Sequence, residues 1–248
     1  MNMNGTDIAL KIENVTKAFG SLKILKGVNL EAKKAETIVI LGRSGTGKSV
    51  ILKCIIGLLT PDSGKIIAFG MDSHNLTKEQ RPIFRKKIGY LFQGGALYDS
   101  MSIRENLEFP LIRQEDYQGE LLTDKVISAL RSVGLESAID KMPSEVSGGM
   151  MKRIALARTL ILEPEIILYD EPTTGLDPFT SKEISELIIK LKEERKVTSI
   201  IITHDIPCAR LVADRVVVLK DGIFFKQGTF SEMESSDDEF VRGFFDFK

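Results

Sequence analysis

The chain has 248 residues, 43% of them hydrophobic, with 34 Lys and Arg against 35 Asp and Glu, which suffices for one substantial core with an attached lobe but hardly for two independent domains. The near balance of charge leaves no global field to draw the chain onto nucleic acid or an anionic membrane, so any partner is recognised locally. The two cysteines, Cys54 in an apolar stretch and Cys208 in DIPCARLV, are too few for a disulfide framework or metal cluster and fit a reduced cytoplasmic setting.

The first residues, MNMNGTDIALKIENV, lack the basic start and apolar core of a secretory signal. No run of about eighteen apolar residues is free of charge, so the chain is expected to meet a membrane only through partners. Short β-type runs follow at Ile8–Val15, Thr37–Leu41, Lys65–Phe69 and Ile88–Phe92, punctuated by glycines. Between the second and third lies Gly42, Arg43, Ser44, Gly45, Thr46, Gly47, Lys48 and Ser49, followed by a predicted helix over Val50–Leu59. A glycine-rich turn between a strand and a helix lets successive N–H groups face phosphate oxygens at a positive helix end. Lys48 would reach the β- and γ-phosphates, and the Ser49 hydroxyl would take one position on Mg²⁺.

From Gln93 to Leu162 the period becomes helical, with a capping box at Ser102 and Glu105 and one apolar face made by Val126, Ile127, Leu130 and Val133. This predicts a helical lobe, about 94–162, inserted between strands. Near its end Ser147 caps a predicted helix through Leu162, with Gly148 and Gly149 in its first turn: a second anion-facing helix end. One ATP can hardly use both anion sites of one chain, so a head-to-tail homodimer in which each chain completes the other's site is expected.

Strands return at Ile166–Tyr169, Ser199–Thr203 and Arg215–Leu219, with helices starting near Pro178 and Ile206, an alternation that predicts an α/β fold with a mostly parallel core sheet. The Asp221-Gly222 pair predicts a hairpin and hence an antiparallel edge. The Ile166 strand runs into Asp170, a magnesium-side carboxylate, and Glu171, positioned to polarise the attacking water. The predicted domain covers 7–230, leaving 231–248 as a tail in which Phe240, Phe244 and Phe247 fall at helical spacing and must dock on this chain or on a paired one, where they would help hold the dimer.

Together these motifs resemble those of ABC-type ATPases, from about Ile8 to about Gly228. The resemblance implies a P-loop ABC ATPase fold with an antiparallel β subdomain and ATP and Mg²⁺ as ligands. It also implies roles for Phe19 (stacking on adenine), Gln93 (linking the magnesium site to the transporter contact), Asp177 (contact across the dimer) and His204 (sensing the γ-phosphate). Met150 and Val146 depart from the common signature, which carries Gln and Leu; since the backbone and Ser147 supply most phosphate contacts, hydrolysis is still expected. The runs LFQGGALYDSMSIRENLEFPL and MPSEVSGGMMKR resemble the ATPase of Mla-type systems, which serve MCE-protein phospholipid transporters. That implies a subunit on the cytoplasmic face of the inner membrane, beneath a permease with an MCE-type subunit. The segment from Gly94 to Glu105, with Leu97, Tyr98, Met101 and Ile103, suits either a groove for a permease helix or a core segment. A soluble ABC ATPase acting on DNA or ribosomes, and a transporter for another cargo, are the competing readings; the coiled-coil insertions, zinc motifs or paired cassettes of the soluble class are missing from the sequence, so no nucleic-acid partner is expected.

Overall fold

The computed structural model describes residues 8–112 and 118–246. Two long strands, β1 (Ile8–Phe19) and β2 (Leu22–Lys33), pair antiparallel, and β4 (Ser63–Ala68) and the short β5 (Met71–Asp72) complete a four-stranded sheet in the order β2-β1-β4-β5. The second sheet is built from β3 (Thr37–Leu41), β6 (Ile88–Leu91), β7 (Ile166–Asp170), β8 (Thr198–Ile202), β9 (Arg215–Lys220) and β10 (Ile223–Gly228), in the order β10-β9-β3-β8-β7-β6. All its neighbours pair parallel except β10, which turns back on β9 through Asp221 and Gly222, both at positive φ as the predicted hairpin requires.

β3, β7 and β8 are buried at every position, as strands covered on both faces must be. Their alternate side chains feed two cores. Ile38, Ile40, Ile200 and Ile202 pack with α1 (Lys48–Ile55) and the antiparallel sheet. Val39, Leu41, Ile167 and Ile201 pack on the other side with α5 (Gly148–Leu160), α6 (Pro178–Arg195) and α7 (Ile206–Val212). α2 (Gln80–Lys86) buries Phe84 in the first of these cores.

A third cluster makes the helical lobe, where Ile103, Leu107, Val126, Leu130 and Ile154 join α3 (Ile103–Glu108), α4 (Glu120–Ser132) and α5. The predicted capping box is formed: Glu105 N–H donates to Ser102 Oγ at 3.2 Å and Ser102 N–H to the Glu105 carboxylate at 2.7 Å. Val146 and Met150, the two departures from the common signature, pack against this lobe's core.

The structure departs from the sequence reading in several places. β2 was not anticipated, because its outward face carries Lys23, Lys26, Glu31 and Lys33 and a bulge near Gly27, at φ 90°, interrupts the alternation that buries Leu25, Val28, Leu30 and Ala32. α2 was not foreseen either, with a single buried residue to mark it. Helix α1 begins two residues earlier than expected and stops at Ile55, since the next segment turns at Gly57 with φ 70°. Beyond β10, α8 (Phe230–Glu234) and α9 (Glu239–Arg242) fold onto their own chain: Met233 and Val241 are fully buried in the second core, with Phe240, Phe244 and Phe245 packed around them. Phe247 lies outside the described residues.

Candidate functional site

Parallel pairing in register brings the carboxyl ends of β3, β8 and β7 side by side, Ile40 opposite Ile202 and Ile202 opposite Asp170. The loops that leave these ends converge in the crevice where open α/β sheets bind ligands. The first is the glycine-rich loop. Gly45 and Gly47 have φ of 77° and 98°, and a Cβ at Gly47 would lie 2.3 Å from Ile24 Cγ2, so the close approach of β2 and the curl of the loop both demand glycine there. Thr46 Oγ1 donates to the Arg43 carbonyl at 2.8 Å, closing the turn, and Ser44 and Gly45 are exposed at its outer side.

Lys48 is buried, its ammonium donating to the carbonyls of Gly42 at 2.7 Å and Arg43 at 3.2 Å. Burial lowers its pKa, against the opposing pull of the Glu171 and Asp170 carboxylates. The side chain is thus a desolvated cation for which phosphate oxygens would be better partners than carbonyls.

Ser49 Oγ donates to Asp170 Oδ1 at 3.0 Å, while the other oxygen, Oδ2, accepts from the Tyr90 hydroxyl at 2.9 Å. Among the described residues no group of three His, Cys, Asp or Glu side chains gathers as a metal cage. A serine hydroxyl beside one carboxylate nevertheless fits Mg²⁺, which keeps its waters and takes one or two protein oxygens plus phosphate. Tyr90 escaped the sequence reading; the available signal was a hydroxyl in an otherwise apolar strand, one register step from the strand that ends in Asp170.

Glu171 sits at φ 53°, a left-handed conformation uncommon for a residue with a side chain, held by its N–H bond to the Ile202 carbonyl at 2.8 Å. That turn aims its carboxylate at the end of β8, where Oε2 accepts from Thr174 Oγ1 at 3.0 Å and lies 2.8 Å from His204 Nδ1. With Nδ1 as the donor, the imidazole directs Nε2 away from the carboxylate. The pair is a carboxylate held in one orientation by a histidine, a geometry compatible with a general base.

The remaining predicted residues fall around this centre. Phe19 ends β1 with about half its surface exposed (49%) and with Lys17 Nζ 5.6 Å from its ring. Gln93 is exposed, and its main-chain carbonyl accepts from Lys152. Ser147, Gly148 and Gly149 form a second cluster. Ser147 Oγ accepts from Met150 N–H at 3.3 Å, and a Cβ at Gly149 would press to 2.5 Å from Thr180 Cγ2, so the signature turn lies against the start of α6. Asp177 caps that helix, accepting from the N–H groups of Phe179 and Thr180 at 3.0 Å and from Thr180 Oγ1 at 2.6 Å; these donors, the hydroxyl first, depress its pKa.

Between the end of β6 and the helical lobe lies a groove of about 310 Å³, lined by Tyr90, Phe92, Tyr98, Phe109 and Arg158. The Tyr98 and Phe109 rings stand 5.0 Å apart, and Phe92 and Tyr98 keep 38% and 45% of their surface exposed. Of the Gly94–Glu105 segment, Tyr98 thus lies on a groove wall, whereas Ile103 is buried in the lobe core and Leu97 packs against two of the cores. Among the described residues no helix is long and apolar enough to cross a membrane.

Comparison with known proteins meets this geometry. The ABC transporter family matches residues 25–174. The chain is 36% identical to the intermembrane phospholipid transport system ATP-binding protein MlaF of Haemophilus influenzae, over 98% of this chain and 92% of that one. It is 40% identical to the probable ribonucleotide transport ATP-binding protein mkl of Mycobacterium leprae, over 96% of this chain and 68% of that one. Among solved structures, the dimeric post-hydrolysis state of the ATP-binding cassette MJ0796 bound to ADP and phosphate superposes with a TM-score of 0.81 at 35% identity, covering 89% of this chain and 98% of that one. A phosphate loop, an acidic strand end and a signature turn on one such fold make this chain a member of the ABC transporter family, an ATPase subunit.

Proposed function

We propose that two copies of this chain close head to tail around two ATP molecules and that the closure drives a membrane permease moving phospholipid. The observation that carries the motor reading is the convergence of Lys48, Ser49, Asp170, Glu171 and His204 at three adjacent strand ends, while the second anion-facing turn at Ser147 lies against α6. That turn is exposed, beside Asp177 and a Phe179 ring that keeps 72% of its surface in the open; a partner chain would cover this face and present its Ser147–Gly149 turn to the γ-phosphate.

In the closed pair Phe19 stacks on adenine. Lys48 exchanges its loop carbonyls for β- and γ-oxygens, which relieves the cost of its burial. Ser49, Asp170 and Gln93 would hold Mg²⁺, which would supply positive charge to offset that of the phosphate oxygens. Glu171 takes a proton from the attacking water as the water oxygen approaches phosphorus and the bond to ADP breaks; His204 keeps the carboxylate aimed and turns Nε2 to the γ-phosphate. Loss of the phosphate that bridges the two chains lets the pair reopen. The aromatic groove beside β6 takes a short helix of the permease, and the chain works on the cytoplasmic face of an inner membrane without entering it.

The phospholipid cargo and an MCE-type partner are supported by the likeness to an intermembrane phospholipid transport ATPase. A different cargo is the second reading, favoured by the relative named for ribonucleotide transport. One preparation tests these points: tagged Glu171→Gln protein, purified from membranes in mild detergent with ATP and Mg²⁺. The expected result is a closed pair with retained nucleotide, a co-purifying permease with an MCE-type subunit, and bound phospholipid. Hydrolysis at the full rate would refute Glu171 as base, an unrelated permease would keep the motor and change its cargo, and no membrane partner would favour a soluble role.

A further inference from the structure

Tyr90 is the one residue on β6 that touches both the groove and the acidic centre. Its ring lies 4.3 Å from that of Phe92 and lines the groove with Tyr98 and Phe109. Its hydroxyl, at the other end of the same rigid side chain, donates to Asp170 Oδ2 at 2.9 Å. A carboxylate oxygen only accepts, so the phenol is the donor of this bond. The hydroxyl and Ser49 Oγ occupy different oxygens of the carboxylate, which fixes both its rotation and its distance from the phosphate loop.

A phenol has only two side-chain torsions, and χ2 is nearly invisible to an on-axis hydroxyl. Rotation of the ring about χ2 therefore leaves the bond to Asp170 in place, whereas displacement of the whole ring by a partner in the groove carries the hydroxyl, and with it the bond, along. Tyr90 is also partly exposed while its neighbours Gly89 and Leu91 are buried, so the groove side of the ring is within reach of a docked partner. We infer that Tyr90 is a positioning residue that sets Asp170 for Mg²⁺ and reports to it whether the groove is filled. This rests on the reading of Asp170 as the metal-side carboxylate and of the groove as the permease contact.

The test is Mn²⁺ binding to the ATP-loaded full chain, followed by electron paramagnetic resonance in the Glu171→Gln background, with Tyr90 intact or replaced by Phe. Tyr90→Phe keeps the ring and its packing and removes only the hydroxyl. Its Mn²⁺ affinity is expected to fall about tenfold, the lower range for losing a group that orients a metal ligand, while metal-free ATP affinity changes less than about twofold. With the permease bound, the Mn²⁺ affinity of the Tyr90 protein is expected to shift, and that of the Tyr90→Phe protein to stay put. Equal Mn²⁺ affinity in the two isolated chains, with equal melting temperatures, would overturn the inference by making Tyr90 a groove-wall residue only. A permease effect of the same size in both would overturn the reporting role. Should no permease co-purify at all, the proposed function fails, yet the isolated-chain measurement still decides the bond from Tyr90 to Asp170.

Discussion

Lys152 is buried on α5, and its ammonium donates to the main-chain carbonyls of Gln93 and, at 3.4 Å, of Glu171. Two loops that carry the proposed chemistry thus share one cation. Burial lowers its pKa while the Glu171 and Asp170 carboxylates raise it, so the site tolerates the charge because acid lies near. Arg158, six residues along the same helix, donates to the Gly95 carbonyl at 3.0 Å and pins the loop a second time. Replacing Lys152 by Met strips two part-buried main-chain carbonyls of a charged donor, a loss of about 1–3 kcal/mol. The expected outcome is that denaturant unfolding registers this loss and that kcat falls with little change in KM for ATP, since the ATP-binding groups are untouched. Lys152→Arg should restore both. A Met variant less stable but with unaltered kcat would reduce Lys152 to a structural tie. Neither Lys152 nor Tyr90 was legible as a site residue, because each acts by meeting segments distant in sequence. Gly42 to Ser49, Asp170 and Glu171 stand out in the sequence as candidates because each follows a short apolar strand that its own residues define.

At the scale of elements, the sequence patterns were clearest where burial is uniform. β3, β7 and β8 are apolar on both faces, and their register alone lines up the site. Where an element is amphipathic with charges and a bulge, as β2 is, the period was lost. One junction between elements carries a pH signal. His74 follows β5, and its Nε2 lies 3.2 Å from the Leu59 carbonyl just past α1, while Nδ1 lies 2.8 Å from Ser73 Oγ. A carbonyl only accepts, so Nε2 carries the proton and the neutral ring takes the Ser73 hydroxyl at Nδ1. Burial lowers its pKa below the ordinary 6.5, only partly offset by the Leu59 bond and Asp72. A depressed histidine favours folding above its unfolded value, and that stability is lost as pH falls through the folded one. Thermal melts at about pH 7.5 and about pH 5 should therefore show acid destabilisation, smaller in His74→Gln, which carries no titrating proton in that range. An identical acid shift in the variant would assign the effect to other groups.

At the scale of the molecule, the carboxyl-terminal segment decides whether the chain closes on itself or on a neighbour. Its spacing in sequence implied that the rings need a surface but not whose. In the structure Phe240 stacks edge-on against Phe225 at 6.4 Å and Phe244 at 5.4 Å, with Lys220 Nζ 4.4 Å and the Arg43 guanidinium 5.1 Å from its ring. Arg43 belongs to the phosphate loop, so the last helix also steadies the loop that would hold ATP. Truncating Phe240 to Ala gives up part of a buried aromatic surface and two cation–π contacts, together about 2 kcal/mol, or a melting temperature lower by about 4–8 °C for a domain of this size. Because these named contacts are made within one chain, the drop should not change when the protein is diluted, whereas an interface contact would make it depend on concentration. On the proposed function, in which ATP and the signature turns join the two halves, the closed pair trapped by Glu171→Gln should accordingly survive Phe240→Ala. A melting shift that grows with protein concentration, or loss of the trapped pair, would move the tail's surface from its own chain to the partner.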